Sequence, residues 1–189
     1  MTVKIPSLGY ALLGLIQQKP ASGYDLRKIF SSTSMKYYSD SPGAIYPALR
    51  RLERQSLVRG TIEKGAGLRQ RQVFRLASQG MVELKKWIAQ PIGPGDLPRC
   101  EEEIMLRFAF SENVAGPGAS LALLKSLHSA LQAHTASLHA EFEASHELMP
   151  MSGRLAFESG MRGVESLLQW AEYAIASYEK KPRKKGSTL

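Results

Sequence analysis

Leu8, Ala11, Leu12, Leu15 and Ile16 recur at helical spacing and predict an amphipathic helix over about 8–17, stopped by Lys19-Pro20. Ser22-Gly23-Tyr24-Asp25 has the form of a capping box, in which the hydroxyl and the carboxylate satisfy free amides of a first turn. Leu26, Ile29 and Phe30 continue that second helix as its buried face. Residues 31–40 lack a helical period and read as a loop. Ser41-Pro42-Gly43 then repeats the start signal, with Ser as N-cap and Pro at the first helical position. From Ile45 to Ser56, the apolar Ile45, Ala48, Leu49 and Leu52 form one stripe. The opposite face carries Gly43, Pro47, Arg50 and Arg54, flanked by Tyr46 and Arg51. Pro47 is tolerated because the hydrogen bond it forfeits would go to the carbonyl of Gly43, in the first turn.

The rhythm then changes from helical to alternating. Two β-like runs, Leu57–Lys64 and Leu68–Leu76, surround Gly65-Ala66-Gly67 and predict a hairpin. Its tip is rimmed by Lys64, Arg69 and Arg71, with Arg59 and Arg75 further down the strands. Helical period resumes through Met81, Leu84, Trp87 and Ile88. Three helices, a hairpin and a helix, with arginines on the exposed side of the third helix, describe a winged helix-turn-helix, whose third helix enters the major groove of DNA.

Residues 91–98 hold three prolines and two glycines and predict a linker between a first domain at 1–90 and a second at 99–179. A short helix is expected over Glu101–Phe110 and a long one from Pro117 to about His146. The last stretch is the most regular: Phe157, Met161, Val164, Leu168, Ala171, Ile175 and Tyr178 alternate steps of four and three, the seam of a coiled-coil-like helix pair. That stripe can meet either the 117–146 helix of its own chain or a second copy, and it is the candidate dimerisation surface. The fold class expected is mainly α with a small β-wing: an N-terminal winged helix-turn-helix plus a C-terminal helical, coiled-coil-like dimerisation domain.

Charge sharpens this picture. Of the 189 residues, 25 are basic and 17 acidic, but they are not mixed evenly. Residues 1–98 hold fifteen basic and six acidic side chains, residues 99–179 five and eleven, and residues 180–189 five basic ones. The N-terminal half is therefore the one suited to a polyanion. The basic tail at 180–189 reads as disordered, its default role solubility with some non-specific attraction to phosphates. No run approaches the roughly 18 apolar residues that span a bilayer, and Met1–Pro6 lacks the apolar core of a signal peptide, so a cytoplasmic protein without membrane contact is expected.

The run Ser41-Pro42-Gly43-Ala44-Ile45-Tyr46-Pro47-Ala48-Leu49-Arg50-Arg51-Leu52-Glu53, with Leu13-Gly14-Leu15 and Ser22-Gly23-Tyr24-Asp25-Leu26 before it, closely resembles the PadR family of bacterial transcriptional regulators. The resemblance covers residues 8–88. The wing follows the family pattern more loosely: Arg69-Gln70-Arg71-Gln72-Val73-Phe74-Arg75-Leu76-Ala77 stands where Arg-Pro-Arg-Lys-x-Tyr-x-Leu-Thr is usual. Losing the Thr at Ala77 moves the expected cap of the next helix to Ser78. The resemblance implies that Tyr46, Arg50 and Arg51 meet the duplex while the wing reaches an adjacent groove or the backbone. It also implies a homodimer that represses a pseudo-palindromic operator and is released by a small aromatic or phenolic effector. The DNA-binding set expected is Ser41, Gly43, Ala44, Tyr46, Pro47, Arg50, Arg51, Arg54, Lys64, Arg69 and Arg71. Arg50 is the candidate base reader, since a guanidinium can pair bidentately with a guanine edge, and Arg51, Arg54, Lys64 and Arg69 are the candidate phosphate ligands.

Other constellations are weaker. His128, His134, His139 and His146 crowd one helical region, with His139, Glu143 and His146 on one face, and read as solvated helix positions rather than a metal site. Cys100 precedes Glu101-Glu102-Glu103, whose charge disfavours a thiolate, and as the single cysteine it excludes an intrachain disulfide. No catalytic constellation, phosphate-cradling glycine motif or dinucleotide fingerprint appears, so neither an enzyme nor a cofactor is expected. Trp87, Trp170, Tyr37 and Tyr38 are candidates for an aromatic effector pocket, with ordinary packing as the bland reading. The alternative function is a winged helix that contacts protein and has no specific DNA site, which the arginines around Gly43 and Pro47 argue against.

Overall fold

The computed structural model of the chain describes residues 5–33, 35, 41–64 and 70–180. In chain order the elements are α1 (Ser7–Gln18), β1 (Ala21–Ser22), α2 (Gly23–Ser32), α3 (Pro42–Arg54), β2 (Val58–Lys64), β3 (Gln70–Leu76), α4 (Ser78–Ala89), α5 (Leu97–Ala115), α6 (Pro117–Ser145) and α7 (Met151–Lys180). Single 3-10 turns, Pro94–Asp96 and His146–Leu148, precede α5 and α7. These elements form two compact units. The first runs through Ile88 and adds Ala109–Ala115, and the second takes Ala89–Phe108 and the chain from Gly116 onward.

The first unit is a winged helix-turn-helix. Its sheet has the order β1-β3-β2, all antiparallel, with Ala21 opposite Phe74 and Gly60 opposite that same residue from the other side. The three leading helices turn Leu12, Leu13 and Ile16, Leu26 and Phe30, and Ile45, Leu49 and Leu52 inward, where each is at most 2% exposed. Val73 and Phe74 of β3 and Leu84, Trp87 and Ile88 of α4 close the core. Tyr10 stacks on Trp87 with ring centroids 4.2 Å apart. The last turns of α5 belong here: the Phe110 ring lies 2.5 Å from where a Cβ on Gly14 would stand, and Gln17 Nε2 donates to the Asn113 carbonyl at 3.2 Å.

In the second unit α6 and α7 run antiparallel, as the pairing of His128 with Glu172 and of Phe142 with Phe157 requires. Their core is Leu123, Leu127, Leu131 and Ala171, joined by Ile92, Leu97 and Ile104. Two boundaries differ from the sequence reading. Residues 91–98 do not form a free linker, because Ile92 and Leu97 are buried in this core and the Ile92 N–H donates to Ser126 Oγ at 2.8 Å. The helix expected over 101–110 runs from Leu97 to Ala115, since Pro98 falls in its first turn, where its missing N–H costs nothing.

The heptad stripe finds its first partner within the chain. Met161 and Ala171 are buried and Phe157, Val164, Leu168, Ile175 and Tyr178 half-buried. Val164 and Leu168 pack on the core, the Phe157 ring on Phe142 and the Tyr178 ring edge-on to Phe108. A short turn between two long helices makes this contact local, ahead of any second copy. The 180–189 tail lies outside the described residues beyond Lys180. Among those residues no helix is long and apolar enough to cross a membrane.

Candidate nucleic-acid interface

The exposed face of α3 is built by its start signal. Ser41 Oγ accepts the Gly43 N–H at 3.2 Å, and the Ser41 carbonyl accepts the N–H groups of Ala44 and Ile45. Pro42 opens the helix and Pro47 lies inside it, one turn on. With Ile45, Leu49 and Leu52 buried, Gly43, Tyr46, Pro47, Arg50, Arg51 and Arg54 face solvent and Ala44 is half-buried. Three guanidiniums therefore stand beside a strip of small or ring side chains that keeps the backbone accessible to a partner surface. Such a face suits a polyanionic groove.

The helix ends more tightly than its apolar stripe suggests. Ser56 has φ 57°, its N–H donates to the Glu53 carbonyl at 2.9 Å, and the Leu57 N–H reaches back to Leu52 at 2.9 Å. This is a Schellman ending, so α3 stops at Arg54 and not Ser56. Leu57 is thereby buried and β2 starts at Val58.

Tyr46 is 42% exposed, yet its ring rests on the start of α2: a Cβ on Gly23 would lie 2.5 Å from Tyr46 Cε1. The capping box expected at Ser22 forms there. Asp25 N–H donates to Ser22 Oγ at 3.2 Å, and the Asp25 carboxylate receives the Ser22 hydroxyl at 2.7 Å and the Ser22 N–H at 3.0 Å. The Ser22 hydroxyl holds the Asp25 carboxyl below its ordinary value of 3.8, against the opposite pull of burial. The Ser22 N–H and the charges of Arg71 and Lys19 add to the lowering.

The wing cations divide. Arg71, expected to face DNA, is half-exposed and pairs with Asp25 across the sheet at 3.7 Å, because β3 lies between β1 and β2 and carries it toward the cap of α2. Arg75 is held by Glu63 at 2.7 Å. Lys64 closes β2 opposite Gln70, and Arg69 lies outside the described residues. The cap of α4 also differs from expectation. The helix begins at Ser78 and the Ala77 carbonyl accepts the Met81 N–H, so Ala77 occupies the cap, fixed by its own N–H on the Leu57 carbonyl.

Sequence reasoning passed over Glu53. Its carboxylate accepts the Gly60 N–H of β2 at 2.9 Å and stands 3.4 Å from Gln72 Nε2 of β3, so one side chain of α3 touches both wing strands. The signal was a glycine in the middle of a strand, which marks a close approach. The remaining candidates fall elsewhere. Trp87 is spent on Tyr10, Trp170 on Phe108, and Tyr37 and Tyr38 lie outside the described residues. His139 Nε2 lies 2.8 Å from Glu165, His128 Nε2 3.3 Å from Glu172 and His146 Nδ1 3.0 Å from the Phe142 carbonyl. Among the described residues, no three His, Cys, Asp or Glu side chains gather around a metal position.

A family model described as "Transcriptional regulator PadR-like family" matches residues 12–86. The chain is 28% identical over 185 residues to the negative transcriptional regulator PadR of Bacillus subtilis, covering 92% of this chain and 98% of that protein. It is 30% identical over 88 residues to the Mycobacterium tuberculosis protein named "Probable transcriptional regulator Rv1176c"; that match spans 47% of each chain, about half the length of the relative. Among solved structures, the crystal structure of Bacillus subtilis PadR in complex with operator DNA is similar at 22% identity and a TM-score of 0.43, covering 92% of this chain and 99% of that one.

Proposed function

The chain belongs to the PadR-like family of transcriptional regulators, and from that premise we propose that it represses transcription by docking α3 in the major groove of a pseudo-palindromic operator. The observation that carries this reading is the exposed face of α3, where Arg50, Arg51 and Arg54 flank Gly43, Tyr46 and Pro47. A relative named as a negative regulator, matched over nearly its whole length, supports repression rather than activation.

A homodimer presents two copies of α3, which is what a twofold operator requires. The half-buried members of the α7 stripe, Phe157, Val164, Leu168, Ile175 and Tyr178, retain surface for a second copy within the folded chain. Release by a small aromatic or phenolic effector belongs to the same proposal. The second unit supports it with a cavity of about 200 Å³ lined by Leu97, Ile104, Leu127, Leu131, His134 and Val164, apolar except for one imidazole.

The test is fluorescence anisotropy against DNA from upstream of the chain's own gene and a shuffled fragment of equal composition, at several salt concentrations. Tight binding to the native fragment alone establishes a specific regulator. Equal binding to both, abolished as salt rises, leaves only a basic surface, and binding to neither favours a protein-contact module. With Arg50 as base reader, Arg50→Ala should cost about 1–3 kcal/mol on the operator and much less on the shuffled fragment. Equal weakening on both would remove that role.

A further inference from the structure

A carboxylate beside a phosphate-binding face is electrostatically adverse, and Glu53 sits one residue from Arg54 and two from Arg51. Its placement has another use. Among the described residues the sheet order β1-β3-β2 leaves the strand β2 at an edge, its outward N–H groups without a strand to pair with. The Gly60 N–H is one of them, and the Glu53 carboxylate takes it at 2.9 Å. The same carboxylate meets the Gln72 amide of β3, the residue registered with Ile62.

Gly60 makes this approach possible. A Cβ there would lie 2.5 Å from Glu53 Oε1 and would collide with Gln72 Nε2 as well. A glycine inside a strand weakens it relative to alanine, so its occurrence here has a local cause, the seating of the carboxylate on the strand backbone. Gly60, Glu53 and Gln72 thus form one device.

We propose that Glu53 is a positioning residue, a clamp that fixes the β2–β3 wing to the C-terminal end of α3 so that helix and wing meet DNA as one rigid surface. This rests on the reading of α3 as a DNA-binding helix. The clamp has a consequence opposite in sign to simple electrostatics. Removing a negative charge near DNA should tighten binding by reducing repulsion, whereas removing the clamp frees the wing and weakens it.

The experiment compares Glu53→Ala, Glu53→Gln and Gly60→Ala with the unmodified full-length chain, by anisotropy on the native upstream fragment over a range of salt and by amide hydrogen exchange at Gly60. Circular dichroism melting selects variants that fold. Glu53→Ala should bind the native fragment about tenfold more weakly, and its salt dependence should become shallower by about 0.9 for each phosphate that the freed wing no longer neutralises. Glu53→Gln keeps an acceptor for the Gly60 N–H and should stay within about twofold of the unmodified chain. Gly60→Ala should reproduce the Glu53→Ala defect with no change of charge. Exchange at Gly60 should accelerate in Glu53→Ala and remain slow in Glu53→Gln.

Binding by Glu53→Ala as tight as or tighter than the unmodified chain, with an unchanged salt slope, overturns the clamp and leaves the DNA-binding reading intact. An unmodified chain that fails to distinguish the native from the shuffled fragment overturns the DNA-binding reading itself; the exchange arm then decides the Glu53–Gly60 interaction separately. If Glu53→Ala does not fold, Gly60→Ala and Glu53→Gln carry the same decision.

Discussion

Ser56 shows how one residue can carry a turn that its chemistry does not favour. At φ 57° its backbone is left-handed, where a Cβ costs roughly 1–2 kcal/mol relative to glycine, yet the Schellman ending of α3 needs that geometry. Ser56→Gly should therefore raise stability by up to about 1 kcal/mol after the added freedom of the unfolded chain is subtracted. Chemical denaturation checks it: an unchanged or lower midpoint would mean that Ser56 contributes an interaction the strain argument omits. Asp25 makes a second prediction at this scale. Its carboxyl is held below 3.8 by the Ser22 hydroxyl first, with help from the Ser22 N–H, Arg71 and Lys19. A depressed value in the folded state means the ionised form stabilises the fold: the contribution is complete above pH 3.8 and disappears as pH falls through the lower folded value. Melting temperature against pH should show an acid limb that Asp25→Asn flattens, the two curves converging at the acid end. The capping box itself was legible because it is contiguous in sequence. The Asp25–Arg71 pair was not, since its members stand on separate elements that only the β1–β3 pairing brings together.

The element that matters most, α3, was legible because one face obeys core periodicity and the other violates it with arginines, glycine and proline. What periodicity could not show is how α3 is seated. Tyr46 leans on the first residue of α2, and only a glycine at 23 leaves room for its ring. In Gly23→Ala the new methyl meets the edge of a half-exposed ring that can swing outward, so the fold should be destabilised by less than about 1 kcal/mol. Operator affinity should fall several-fold, because Tyr46 then leaves its place beside Arg50. Thermal melting and anisotropy separate the two effects, and a variant that binds as tightly as the unmodified chain would take Tyr46 out of the interface. The boundaries read least well were those set by long-range packing. Pro94, Gly95 and Pro98 have the composition of a linker, but Ile92 and Leu97 between and beside them are claimed by the core of α6 and α7. Composition records local preference and is silent about which distant surface an apolar side chain will find.

At the scale of the whole molecule, fifteen basic and six acidic residues in the first 98 face five and eleven in the next 81. Attraction to DNA is thus concentrated in the winged-helix unit, and the acidic helices of the second unit oppose non-specific adhesion of the rest. Counterion release makes the number of phosphates engaged measurable. Each phosphate neutralised contributes about 0.9 to the slope of log affinity against log salt on duplex DNA. Arg54, on the exposed end of α3, is a candidate phosphate ligand, so Arg54→Ala should reduce the slope without changing the ratio of native to shuffled fragment. The size of the reduction reports the assembly on the operator. A single copy gives up one phosphate, a change of about 0.9; a homodimer gives up one per subunit, a change of about 1.8. Sedimentation of the free protein at micromolar concentration supplies the matching observation, with a dimer expected. A dimer in solution with a slope change of only about 0.9 would mean that one α3 alone reaches the phosphates, and the twofold operator would fall. No change in slope would remove Arg54 from the phosphate ligands and leave the cationic face to Arg50 and Arg51.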